Sequence, residues 1–146
     1  MKDVKELLPE INRPLTKITP DDSVHTALTL MSEKGLGALV VVQHGRVCGV
    51  VSERDCSRLL LSNRCDAKVH SVRSVMSEEV CFVSPNESME SCLALMNSQG
   101  LEHLPVIVGE ELVGFLSLLD VTRSVLAEKF QRLQCLEAHL SSSWPL

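Results

Sequence analysis

Val47-Cys48-Gly49-Val50-Val51-Ser52-Glu53-Arg54-Asp55 returns, 65 residues later, as Leu112-Val113-Gly114-Phe115-Leu116-Ser117-Leu118-Leu119-Asp120. In both copies an apolar run ends in Ser-x-x-Asp. Working outward, the same offset lays residues 18–61 over 83–126 without a gap, with 14 of 44 positions identical, so the chain carries an internal duplication. The matched pairs include Pro20/Pro85, Ser23/Ser88, Met31/Met96, Gly35/Gly100, Gly49/Gly114 and Arg58/Arg123. Function therefore has to be read from a pair of sites.

Within each copy the periodicity changes in the same order. A short extended stretch (Leu15 to Thr19; Val80 to Ser84) leads into Pro-x-x-Ser, where Ser23 or Ser88 is placed to cap a helix. Val24, Ala27, Leu28 and Met31, and their counterparts Met89, Cys92, Leu93 and Met96, then fall at i, i+3, i+4, i+7, which predicts one apolar helical face per copy. Gly35 and Gly100 stand where a helix C-terminus needs a residue tolerant of positive φ. Next come paired β-branched runs, Leu39 to Val42 with Val47 to Val51 around Gln43-His44-Gly45-Arg46, and Leu104 to Val108 with Leu112 to Leu116 around Gly109-Glu110. Each reads as a hairpin. A second helix follows, from about Glu53 to Ser62 and from about Leu118 onward, so each unit is β-α-β-β-α and the class is α+β. Pro105, inside a strand, implies an edge position or a strand start.

The length of 146 residues fits one compact domain, and a half of about 60 residues would be marginally stable alone, which predicts a shared core. With 45% apolar residues, 23% charged and net charge −5, the chain favours neither nucleic acid nor an anionic membrane surface. No apolar run is long enough for a membrane span, and Met1 to Glu10 does not read as a signal peptide, so a cytoplasmic location is expected. Cys48, Cys56, Cys65, Cys81, Cys92 and Cys135 show no Cys-x-x-Cys and no clustering with histidine, which argues against a metal site or a disulfide framework.

This order, with these residues, resembles the CBS (cystathionine beta-synthase) domain, and the chain is similar to stand-alone tandem CBS pairs of the bacterial type. The resemblance is carried by Ile18-Thr19-Pro20-x-x-Ser23-Val24, Met31-x-x-x-Gly35-Leu36-Gly37-Ala38-Leu39-Val40-Val41 and Val47-x-Gly49-Val50-Val51-Ser52-Glu53-Arg54-Asp55. In the second half it is carried by Val72-Arg73-x-Val75-Met76, Leu101-x-His103-Leu104-Pro105-Val106 and Leu112-Val113-Gly114-Phe115-Leu116-Ser117-x-x-Asp120. It covers residues from about 4 to 130, with repeat 1 at 8–64, repeat 2 at 72–130, and a C-terminal helix extension and tail at 131–146. Val4-Lys5-Glu6-Leu7-Leu8 echoes Val72-Arg73-Ser74-Val75-Met76 as a lead-in. The resemblance implies a pseudo-twofold, Bateman-type module whose interdomain clefts hold AMP, ADP, ATP or related adenosyl ligands.

A helix N-terminus presents N–H groups and partial positive charge to a phosphate, a serine hydroxyl adds a donor, and a carboxylate can accept both hydroxyls of a ribose. Ser-x-x-Asp is also close to the capping box, in which the two side chains merely satisfy backbone amides. The duplication and the resemblance favour the ligand role, more for Ser52/Asp55 than for Ser117/Asp120. Arg54 places a guanidinium beside Asp55, whereas its counterpart is Leu119. Where relatives commonly carry a basic residue before His-Leu-Pro-Val, this chain has Glu102. The favoured site is thus Thr19, Gly37, Ala38, Leu39, Val51, Ser52, Arg54 and Asp55. The weaker one is Ser84, His103, Leu104, Pro105, Leu116, Ser117 and Asp120. With three Phe, one Trp and no Tyr, aromatic stacking on adenine is not the expected means of recognition.

The sequence lacks Gly-x-Ser-x-Gly, His-Glu-x-x-His and a P-loop, so no catalytic residues are expected, and no cofactor is required. The expectation is a non-catalytic energy sensor that binds an adenine nucleotide and signals to a separate, unknown effector. The alternative is a dimerisation or interaction scaffold with empty or degenerate sites. Leu126, Phe130, Leu133, Leu136 and Leu140 continue an apolar stripe beyond the second repeat, which favours a homodimer.

Overall fold

Ser23 and Ser88 cap helices as their spacing predicts. The computed structural model describes residues 1–11, 13–63 and 66–143; the expectations for Cys65 and for the end of the tail, 144–146, lie outside the described residues. Ser23 Oγ accepts from the Thr26 amide at 3.0 Å and Ser88 Oγ from the Ser91 amide at 3.1 Å, opening α2 (Val24–Lys34) and α4 (Met89–Gln99). Both helices end on a glycine at φ 65, Gly35 and Gly100, whose amide returns to the Met31 or Met96 carbonyl.

The remaining elements are α1 (Val4–Ile11), β1 (Lys17–Ile18), β2 (Ala38–Gln43), β3 (Arg46–Ser52), α3 (Glu53–Asn63), β4 (His103–Val108), β5 (Glu111–Ser117) and α5 (Leu118–Ser143). The first hairpin turns on His44 (φ 53) and Gly45 (φ 75), a pair of left-handed residues that matches the twist of the flanking strands. β2 pairs antiparallel with β3, and β1 adds in parallel, with Lys17 opposite Val40 and Ile18 opposite Val41.

The second copy departs from β-α-β-β-α at its start. Its sheet is two-stranded, β4 with β5, and the expected strand at Val80 to Ser84 shrinks to one parallel bridge, Val83 to Val106. Pro105 supplies the reason. It occupies the position of Val40, its carbonyl accepts from the Val83 amide at 3.0 Å, and it has no N–H with which to extend the ladder.

Two compact units form, and they interleave along the chain. One comprises Met1–Arg13, Val83–Val106 and Phe115–Leu146; the other comprises Pro14–Phe82 and Ile107–Gly114. In each unit a lead-in segment docks on the helix start of the other copy, by the same bonds. Val4 N donates to Glu87 O (2.9 Å), Lys5 N to Pro85 O (2.9 Å) and Met89 N to Lys2 O (3.0 Å). In the other unit Val72 N donates to Asp22 O (2.8 Å), Arg73 N to Pro20 O (3.0 Å) and Val24 N to His70 O (2.8 Å). The echo between residues 4–8 and 72–76 is thus one docking pattern used twice, although the first segment is a helix and the second a single 3₁₀ turn at Val72–Ser74.

The second unit's core gathers Ile18, Val24, Ala27, Met31, Leu39, Val41, Val51, Cys56 and Val72. The first buries Val4, Leu7, Met89, Cys92, Met96, Leu104, Val106, Leu116 and Val121. Burial at this level supplies most of the folding drive.

Candidate functional site

Each hairpin ends where a helix begins, and the Ser-x-x-Asp pairs sit on those two junctions. At the first, Asp55 N donates to Ser52 Oγ at 3.1 Å while Ser52 N donates to Asp55 Oδ2 at 3.3 Å. At the second, Asp120 N donates to Ser117 Oγ at 3.1 Å and Ser117 N to Asp120 Oδ2 at 2.9 Å. Both are reciprocal capping boxes. The first helical amide is also held: Glu53 N donates to Gly37 O at 2.9 Å and Leu118 N to Glu102 O at 2.8 Å. What remains for a ligand is narrower than the sequence suggests. One carboxylate oxygen, Oδ2, does the capping in each box, and a carboxylate has acceptor sites beyond those used here.

Around the first junction, Ala38, Leu39 and Val51 are buried, so they shape the floor rather than offer side chains to a ligand. Gly37 is half-buried and Arg54 is exposed. Thr19 is exposed, and both its amide and its hydroxyl donate to Asp22 Oδ2 at 2.9 Å, so its hydrogen-bonding proton is already committed.

Around the second junction, Leu104, Pro105 and Leu116 are buried, and Ser84 Oγ accepts from the Asn86 amide at 3.3 Å. His103 lies flat on Phe115, with ring centroids 5.2 Å apart and 10° between planes. Burial lowers the His103 pKa, Glu102 and Asp120 pull it back up, and Arg13 lowers it further; the net shift is downward and favours the neutral imidazole.

Arg13 is the residue that sequence reasoning missed. Its guanidinium forms a hydrogen-bonded ion pair with Asp120 Oδ2, across 107 positions of sequence. Burial raises the Asp120 pKa, but hydrogen bonds from Ser117 and the charge and hydrogen bond of Arg13 outweigh it, and the net shift is downward. No motif marks Arg13, and the residue at the repeat offset is Glu78. Asp120 also borders an open groove of about 580 Å³ between α1 and α5, lined by Lys2, Glu6, Glu10 and Arg123 among others.

Cysteine chemistry does not converge on either junction. Cys56 and Cys92 are fully buried, and burial above all pushes each thiol up to about 11, which keeps them protonated and unreactive. Cys48, Cys56, Cys81, Cys92 and Cys135 are free thiols. Among the described residues no group of three His, Cys, Asp or Glu side chains could hold a metal ion, and no helix is long and apolar enough to cross a membrane.

The doubled hairpin-to-helix junction defines the class, a tandem repeat with two equivalent motif sites, and comparison with known proteins gives the family. The chain belongs to the CBS domain family, which matches residues 4–62 and again 72–127. It is 32% identical over 131 residues to the mitochondrial CBS domain-containing protein CBSX3 of Arabidopsis thaliana, covering 86% of this chain and 64% of that protein. The crystal structure of the CBS domain protein NE2398 superimposes with a TM-score of 0.80 at 34% identity, covering 86% of this chain and 99% of that one. The CBS domain pair of MJ0100, in complex with 5′-methylthioadenosine and S-adenosyl-L-methionine, shares the fold at 18% identity, with a TM-score of 0.77 and coverage of 88% and 98%.

Proposed function

We propose that this chain is a non-catalytic regulatory module that binds an adenine nucleotide, AMP, ADP or ATP, and signals its occupancy to a separate effector protein. The observation that carries this reading is the Ser-x-x-Asp junction formed twice with one geometry, each with an aspartate oxygen outside the capping bonds. MJ0100, of the same fold, was crystallised with two adenosyl ligands, which supports adenosine as the shared chemistry. At the favoured site Asp55 accepts the ribose hydroxyls, Arg54 meets the phosphate, and the backbone of Thr19, Gly37, Ala38 and Leu39 with Val51 borders the base. The module works in the cytosol as a homodimer formed through α5, and a ligand with different affinities for two arrangements of the chain shifts their population.

Isothermal titration of the purified chain with AMP, ADP, ATP, NAD and S-adenosylmethionine tests this. The expected result is micromolar binding of an adenine nucleotide, weakened about tenfold or more by Asp55→Ala, with an unchanged far-UV circular dichroism spectrum. No binding of any of the five moves the function to the interaction scaffold, in which the two boxes only cap helices.

A further inference from the structure

We propose that Arg13, delivered from the N-terminal segment, is the phosphate-binding residue of a second nucleotide site built on Ser117 and Asp120. The inference rests on the nucleotide reading above and extends it to the site that local sequence ranks lower. That ranking had two grounds: Leu119 stands where the first site has Arg54, and Glu102 is acidic. The fold removes the first of them. Arg13 reaches the second junction because α1 docks on the same unit through Val4, Lys5 and Lys2, and Arg13 stands two residues beyond its end.

The chemistry fits a nucleotide in three respects. First, Ser117 N and Arg13 both bond to Asp120 Oδ2, so Oδ1 remains to accept from a ribose diol. Second, the 5′-phosphate of a nucleotide lies one sugar away from that diol, on the scale of a guanidinium, and a guanidinium offers five donors of which a single acceptor uses few. Third, Arg13 offsets Asp120 at a place where Glu102 and Asp120 would otherwise repel an anion, and His103, stacked on Phe115, adds no opposing charge. Arg13 is 41% exposed, so its guanidinium is open to a ligand arriving from solvent, whereas the Asp120 carboxylate is 19% exposed and fixed by its cap. The two sites are not interchangeable. At the offset of 65 Arg13 is matched by Glu78, and at the offset of 68 that relates the docked lead-ins it is matched by Cys81; neither is a cation, and the first site has Arg54 on its own helix instead.

The experiment is calorimetric titration of Asp55→Ala, in which the first site is disabled, with AMP and with adenosine, before and after adding Arg13→Ala. Expected is AMP binding by Asp55→Ala that weakens about tenfold with Arg13→Ala, while adenosine affinity stays within twofold. Equal weakening of AMP and adenosine would assign Arg13 a structural role and overturn the proposal, as would an AMP affinity that Arg13→Ala leaves within twofold. Should wild type bind AMP and Asp55→Ala bind none, the second site is no nucleotide site and this inference fails while the function stands. If wild type binds no nucleotide, both fall. Arg13→Lys separates charge from fork geometry: it should restore part of the AMP affinity.

Discussion

Asp120 accepts from Ser117 as Asp55 accepts from Ser52, and it accepts from Arg13 as well; these bonds set its titration. Burial raises its pKa, yet hydrogen bonds from Ser117 and the Arg13 guanidinium lower it further, so the group titrates below its ordinary 3.8. A carboxylate depressed in the folded state contributes stability that is complete above the unfolded value and is lost as pH falls through the folded one. Asp120→Asn should therefore be less stable than wild type at pH 7, with the gap closing as pH drops below about 4. The gap should stay below about 1 kcal/mol, because Arg13 is partly exposed and solvent screens the pair. Urea unfolding at pH 7, 5, 4 and 3 measures it; a gap constant over that series would mean that the ionised carboxylate is not what stabilises this junction. At this scale the sequence exposed Ser117 and Asp120 through a three-residue spacing. It could not expose Arg13, because an ion pair spanning 107 positions leaves no local pattern.

Elements were legible where their signals are local. Ser23, Ser88, Gly35 and Gly100 each act within five residues of themselves, and α2 and α4 begin and end on them. The strand expected at Val80 to Ser84 failed for a non-local reason, the missing N–H of Pro105 on the chain beside it. The lead-ins illustrate the same limit: residues 4–8 and 72–76 look alike, but that each docks on the other copy depends on carbonyls at Glu87, Pro85, Asp22 and Pro20. Gly49 tests how closely the second lead-in is held. Val50 and Ser77 exchange two backbone bonds of 3.0 and 2.9 Å, and a Cβ at Gly49 would lie 2.8 Å from the Ser77 carbonyl oxygen. Backbone cannot swing aside as a side-chain end can, so Gly49→Ala should cost about 1–3 kcal/mol in urea unfolding. Gly35→Ala, where a Cβ meets open space but φ is 65, should cost about 1–2 kcal/mol through backbone strain alone. A Gly49→Ala variant within about 0.5 kcal/mol of wild type would show that residues 76–77 are not pressed on β3.

For the molecule as a whole, α5 carries more apolar surface than its own unit covers. Leu119, Leu126, Leu133 and Leu140 recur every seven residues and are 56%, 52%, 57% and 62% exposed, with Phe130 between them at 63%. A seven-residue repeat is the period of paired helices rather than of a helix lying on a globular core. Four residues after the first three of these leucines stand Arg123, Phe130 and Glu137, and the two charges distinguish the possible directions of pairing with a second copy. Two parallel copies would set Arg123 against Arg123 and Glu137 against Glu137. Two antiparallel copies centred near Phe130 and Leu133 bring Arg123 of one within about a helical turn of Glu137 of the other. The proposed homodimer is therefore an antiparallel pairing of α5 with a second copy. Sedimentation equilibrium at micromolar protein should give the dimer mass for wild type and the monomer mass for Leu133→Glu. Arg123→Glu should weaken the dimer about two- to tenfold, and adding Glu137→Arg should restore it, since only the antiparallel arrangement lets the swapped charges meet. A monomeric wild type removes the homodimer altogether. A dimer that Leu133→Glu leaves intact places the contact on another face and leaves the apolar stripe of α5 for a different partner.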